Sequence, residues 1–344
     1  MADIVMADDG IAFDGVLAES APMGGAEAAF VGLAEALARR GHTVTVYNNC
    51  AASVTHNGVA WRPLAGDTPE TADLYIANRG DKLLHRVPGA RRTIFWIHNP
   101  ASYLLKWRYL SKLAWRRPLI VFSGPSHAST YPRWAPSAGR AIIPYGIAEI
   151  FRTTPPASDP PPPRALFTSN PLRGLDWLLD TWERRIWPRV PQAELHLFSG
   201  PRTYGAAGAR KAAAMLPVLD RAAAMASSGV VLREPVAKAA LAAEMRAMRV
   251  FLYRGDEGET FCAAAGEAQA MGIPGVVQPI GSLAERILDG VTGTVARDGD
   301  DSAEAAVRLL TADGLWRRQH DAALARQRRF GWNEAAAEFE KLLS

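Results

Sequence analysis

Two glutamates eight residues apart, Glu259 and Glu267, carry the strongest chemical signal in this chain. They bracket Glu259-Thr-Phe-Cys-Ala-Ala-Ala-Gly-Glu267, after which the chain turns through Gly272-Ile-Pro-Gly275. An ionised carboxylate that accepts a hydroxyl makes a charge-assisted bond of about 1.5–3 kcal/mol. Arg173, in Asn170-Pro-Leu-Arg173-Gly-Leu175, offers a fork that matches two phosphate oxygens at once. A cation at a helix start opposes the helix dipole, which favours a ligand-binding reading of Arg173 over a plain surface one. His98 ends an apolar run in Trp96-Ile-His98-Asn-Pro100 and reads as a strand-end side chain aimed at a crevice. Gly24 and Gly25, in Met23-Gly-Gly-Ala-Glu27, open a long helix where backbone N–H groups favour anions.

The elements that must position these groups follow from apolar periodicity. Residues 251–253 read as a buried strand, 254–258 as a polar loop, and 261–271 as an Ala-rich helix stopped by Gly272. Residues 275–277 then return to a strand. This is a βαβ unit, in which ligands bind beyond the carboxyl ends of the strands. Helix geometry from 259 to 267 would set the two carboxylates on nearly one face, about 12 Å apart along the axis. Ser282 and Glu285 have capping-box spacing ahead of another helical turn.

Strand-like runs recur at 4–6, 43–47, 74–77, 93–97, 119–122 and 141–143, then at 165–168, 194–198, 230–232, 250–253, 275–278 and 293–295. Helix-like stretches separate them, so each half predicts a parallel sheet covered on both faces. Between the halves lies Thr153-Thr-Pro-Pro-Ala-Ser-Asp-Pro-Pro-Pro-Pro163, which reads as a stiff linker. The expected division is therefore 1–152, linker 153–163, 164–328, and a terminal helix 329–344 that returns to the first domain. Two such α/β domains facing one another would leave an interdomain cleft.

Composition narrows the class. The chain has 344 residues, 48% hydrophobic and 22% charged, with a net charge of +4, which suits an ordinary soluble protein. Two cysteines, Cys50 and Cys262, exclude a disulfide framework and suit a reducing cytosol. The first residues read as a strand rather than a signal peptide, and no apolar run is long enough to span a membrane. Charge concentrates between Arg79 and Arg117, where ten Lys or Arg face one acid, Asp81. Aromatics interleave there, and Arg108, Lys112 and Arg116 recur at helical spacing. That pattern predicts an acceptor or membrane-contact surface, with peripheral attachment at the inner face of the membrane. It carries no nucleic-acid motif, and no nucleic-acid partner is expected.

The string from 259 to 275 resembles the paired-glutamate signature of retaining, nucleotide-sugar-dependent glycosyltransferases of family 4. The resemblance extends from residue 23 to the C-terminus through Gly-Gly-Ala-Glu27, Ile142-Ile-Pro-Tyr-Gly-Ile147 and Arg233-Glu-Pro-Val236. It implies a GT-B fold of two facing Rossmann-like, doubly wound domains. The donor would be a nucleotide-diphosphate sugar, uridine or guanosine, and the acceptor a glycan or a lipid-linked hydroxyl. Glu259 would hold the donor sugar and Glu267 the ribose, with Thr260, Phe261 and Cys262 alongside. Glu234 and Val236 would flank the base, Gly24 and Gly25 would approach the donor, Arg173 would bind the diphosphate, and His98 would act at the reaction centre. Relatives carry a second arginine where this chain has Thr168; Arg202 and Arg254 are candidates to compensate. The family needs no metal or cofactor for its chemistry, so Asp298-Gly-Asp300 is a coincidental Asp-x-Asp. Two alternatives remain open: a nucleotide-sugar-binding module without turnover, and an epimerase of the same fold.

Overall fold

The computed structural model describes residues 1–343, apart from the side chains at 205–207 and 209. Its contacts divide the chain into two units. One comprises Met1–Ser20, Gly25–Gly146 and Phe330–Ser344, and the other Ala21–Gly24 and Ile147–Arg329.

The first unit is built on strands β1 Asp3–Asp8, β2 Thr43–Asn48, β3 Val54–His56, β4 Val59–Pro63, β5 Thr71–Asn78, β6 Gly89–Trp96, β7 Leu119–Phe122 and β8 Gly139–Ile142. They form one sheet in the order β3-β4-β2-β1-β5-β6-β7-β8, parallel except for the β3–β4 pair. Leu74, Tyr75, Ile76 and Ala77 on the central β5 are all 0% exposed, as expected where helices cover both faces. The antiparallel hairpin β3–β4 was not expected from apolar periodicity. It turns at Asn57 (φ 46°) and Gly58 (φ 79°), a two-residue loop whose left-handed backbone matches strand twist. The helix Trp332–Glu340 packs within this unit against the helix Gly25–Arg39. There Arg40 donates to both oxygens of Glu340 at 2.6 and 2.7 Å.

The second unit carries β9 Arg164–Phe167, β10 Glu194–Phe198, β11 Val230–Arg233, β12 Val250–Tyr253, β13 Gly275–Val277 and β14 Gly293–Val295. Their order is β11-β10-β9-β12-β13-β14, all parallel. The chain starts at β9, builds outward one way, then crosses to β12 and builds the other way. This is the doubly wound arrangement, with its switch point between β9 and β12. In the first unit, β1 and β5 flank the equivalent point.

The proline-rich segment 153–163, expected as a linker, lies in the second unit, and the division falls after Gly146. Arginines account for the difference. Arg249 donates to the Pro161 carbonyl at 3.1 Å, Arg317 to Asp159 at 2.9 Å, and Arg328 to the Thr154 carbonyl at 2.7 Å. Stiff extended backbone exposes its carbonyls, and here guanidinium groups take those of Thr154 and Pro161.

Candidate active site

The loops that leave β9 and β12 flank the switch point of the second unit, and they carry Arg173 and Glu259. Arg173 Nη1 lies 3.0 Å from Glu259 Oε2, and the Tyr253 hydroxyl donates to the same oxygen at 2.9 Å. The other oxygen, Oε1, accepts the backbone N–H of Cys262 at 3.1 Å. Glu259 is thus gripped from three sides and its side chain is 12% exposed. Burial is the largest influence on Arg173 and alone would lower its pKa, but Glu259, with Tyr253, Asp256 and Tyr204, together outweighs it and holds the guanidinium firmly charged. Burial, then the same carboxylate, pushes the Tyr253 hydroxyl well up, so it stays a donor.

The local backbone explains this grip. The helix expected over 261–271 runs only over Ala263–Ala270. Its preceding residue, Cys262, has φ 58°, a left-handed conformation that costs a non-glycine residue about 1–2 kcal/mol. Glu259 therefore stands in the loop, and the two carboxylates do not share one helix face as their spacing suggested. Gly281 closes the loop from the β13 side. A Cβ there would come within 2.5 Å of the Glu259 carbonyl, and its φ of 60° also favours glycine. The expected Ser282 capping box does not form: Ser282 makes no side-chain cap bond, and only one helical turn, Leu283–Arg286, follows it.

Glu267 lies inside the Ala263–Ala270 helix, and its Oε1 meets Lys238 Nζ at 2.7 Å. Lys238 opens the helix Lys238–Met245, just after the loop containing Glu234 and Val236. Glu234 is exposed and faces Arg202 loosely at 3.7 Å, while Val236 packs on the core of the unit. Phe261 and Cys262 are each only 3% exposed and Thr260 is 6% exposed. Phe261 carries the Arg286 guanidinium at 4.1 Å over its ring. Arg254 is exposed and sits 5.7 Å from the Trp177 ring, and the buried Thr168 Oγ1 has no partner among the described residues. Gly25 begins its helix in the first unit, whereas Gly24 belongs with the second. Asp298 accepts the Asp301 N–H as a helix cap and Asp300 pairs with Arg185, so both acids of the Asp-x-Asp have local structural roles.

His98 belongs to the first unit. It follows β6 as predicted, but it is 6% exposed and both ring nitrogens meet side chains of the first unit. Nδ1 faces the Tyr145 hydroxyl and Nε2 lies 2.5 Å from Asn78 Oδ1. Since Asn78 Oδ1 only accepts, Nε2 carries the proton and Nδ1 accepts from Tyr145. Burial, reinforced by Arg79, holds the imidazole well below its ordinary pKa and hence neutral. The chain of contacts continues from Asn78 Nδ2 to Asp8 at 2.5 Å, and through Arg79 to Asp8 at 3.0 Å and Glu27 at 2.8 Å.

The basic stripe is also largely self-engaged. Lys112 reaches Asp81 at 2.6 Å with Arg108 at 3.9 Å from the same acid, and Arg116 donates to the carbonyls of Leu84, Val87 and Pro88. This part of the chain exposes aromatics alongside cations such as Arg91 and Arg108: Trp107 at 81% and Trp115 at 75%, with Trp134 at 71% further along. Among the described residues, no helix is long and apolar enough to cross a membrane.

Part of the chain is similar to known proteins in sequence, and all of it in fold. Residues 162–312 match the family model described as Glycosyl transferases group 1. A D-inositol 3-phosphate glycosyltransferase from Xylanimonas cellulosilytica is 40% identical over 110 residues, 31% of this chain and 26% of the relative. The chain therefore matches about a quarter of that curated relative's length. Among solved structures, sucrose-phosphate synthase from Thermosynechococcus elongatus superposes with TM-score 0.72 at 18% identity, covering 98% of this chain and 97% of that one. Anabaena HepE in complex with UDP and glucose gives TM-score 0.73 at 14% identity, covering 100% and 99%. The fold is accordingly that of the GT-B glycosyltransferases, with two Rossmann-like units.

Proposed function

We propose that this chain is a retaining, metal-independent glycosyltransferase that moves a hexosyl group from a nucleotide-diphosphate sugar to an acceptor hydroxyl. The observation that carries this reading is the Arg173–Glu259–Tyr253 cluster at the switch point of a doubly wound sheet. The cluster pairs a phosphate-binding fork with a fixed hydroxyl acceptor, as a donor with a sugar on one side of a diphosphate requires. Glu259 holds donor sugar hydroxyls. Arg173 exchanges its carboxylate partner for the diphosphate and stabilises the charge that grows on it as the bond from the anomeric carbon to phosphate oxygen breaks. The acceptor oxygen bonds to the anomeric carbon on the face the diphosphate leaves, and its proton passes to a departing phosphate oxygen. Glu267 receives the ribose. The acceptor is a glycan or lipid-linked hydroxyl, brought to a peripheral membrane surface by the exposed tryptophans.

Calorimetry against uridine and guanosine diphosphates and their hexose conjugates tests the donor site, with donor turnover measured in parallel. One nucleotide series should bind, Glu267→Ala should weaken it by about tenfold, and Glu259→Gln should cut turnover by about 10²–10³. Binding by no nucleotide would refute the donor site. Tight binding without turnover across acceptors would support a non-catalytic module instead.

A further inference from the structure

Lys238 sits where a lysine is electrostatically out of place. It is the first residue of the helix Lys238–Met245, beside the positive end of the helix dipole. Its ammonium is engaged by two groups: Glu267 Oε1 at 2.7 Å and the ring of the fully buried Phe151 at 5.7 Å. The Glu267 side chain is 13% exposed, so its charge needs a partner. Glu267 Oε2 takes no hydrogen bond from any described residue. Lysine is a point charge rather than a fork, so it can hold one oxygen and leave the other to a ligand.

We propose that Lys238 is a positioning residue for nucleotide recognition: it locks the Glu267 carboxylate through Oε1 and leaves Oε2 for the vicinal hydroxyls of a ribose. This inference rests on the donor-site reading above. Without the lysine, the carboxylate gains rotamer freedom and competes poorly for the sugar, although the rest of the nucleotide still finds its contacts.

The experiment measures the affinity of uridine and guanosine diphosphates against their 2′,3′-dideoxy counterparts, for wild type, Glu267→Ala, Lys238→Met and Lys238→Gln. The wild type should prefer the ribonucleotide by about tenfold, one hydrogen-bonded contact. Glu267→Ala should erase the preference, and both lysine variants should bring it to within about threefold of unity while dideoxynucleotide affinity stays unchanged. A merely structural role would weaken ribo- and dideoxynucleotides alike and leave the ratio intact; that result overturns the inference. Lys238 variants that retain the full wild-type preference overturn it too, with the donor site left standing. A wild type that binds no nucleoside diphosphate overturns the donor site itself. Lys238→Gln, which keeps a polar end on a shorter stem, provides the reading if Lys238→Met fails to fold.

Discussion

Each unit has a charged arginine after a strand at the switch point of its own sheet, and the two are used in opposite ways. In the first unit, Arg79 follows β5 and lies between Asp8 and Glu27, with Asn78, His98 and Tyr145 completing a mostly buried chain. In the second, Arg173 follows β9, is 35% exposed, and shares one carboxylate with a tyrosine. The crevice that doubly wound sheets offer to ligands is thus filled by a mostly buried network in one unit and holds a partly exposed ion pair in the other. Ion pairs near solvent separate with little penalty, whereas a buried pair that loses one member leaves an uncompensated charge. A group that must trade its partner for a ligand belongs in the half-exposed setting, and one that must hold strands together belongs in the buried one.

The sharpest way to break that contrast is Arg79→Met. It strands Asp8 and Glu27, which are 0% and 8% exposed, and should destabilise the first unit by about 3–5 kcal/mol in urea unfolding. Nucleoside diphosphate affinity should stay unchanged wherever the protein remains folded. A loss below about 1 kcal/mol would mean the network is ornamental to stability, and the comparison would fail.

Acid titration sharpens it next. His98 and His127 both lie in the first unit, and burial holds His127 down at about 4. The unfolded chain takes up these protons near the ordinary histidine value, while the native state refuses them until lower pH. Stability is therefore full above about pH 6.5 and falls as pH drops below it. His127 alone should remove about 2 kcal/mol by pH 5 and approach about 3 kcal/mol by pH 4. Asp8, whose pKa burial raises, works in the opposite sense as it titrates. Urea midpoints at pH 7.5, 6 and 5, with His127→Gln as control, check the sign; a flat profile would refute it.

Much of this contrast was legible as sequence, but only in pieces. The strands announced themselves as short apolar runs because both sheet faces are covered. The hairpin β3–β4 escaped because its alternation is weak, although Asn57-Gly58 carried the turn signal. The positions of His98 and Arg173 after strands were readable; their partners were not. Asp8, Asn78 and Trp96 stand side by side only because β5 pairs with both β1 and β6, and nothing local reveals that order. Eight-residue spacing suggested two turns of helix between Glu259 and Glu267, yet the first turn is replaced by a loop that the Glu259 side chain itself closes. Tyr253 and Lys238 were missed for a related reason. A tyrosine ending an apolar run reads as core, and a lysine in an Ala-rich helix reads as solvated. The one available hint was the wrong-sign charge at the first helical position.

The smallest effect tests how the exchangeable site is tuned. Tyr253→Phe removes one of the two donors to Glu259 Oε2 and leaves Arg173 in place. The ring remains 1% exposed and its packing against Phe167 and Phe251 is unaltered, so stability should change by no more than about 1 kcal/mol. If Tyr253 holds Glu259 while Arg173 moves to the diphosphate, the variant should lose about three- to tenfold in kcat with little change in KM for the donor, the signature of a contact needed more in the transition state than in the ground state. If Arg173 stays on Glu259 throughout, the tyrosine is redundant and kcat should hold. The tyrosine thus reports whether the arginine leaves its carboxylate during turnover, which is the property that separates the second unit's crevice from the first unit's.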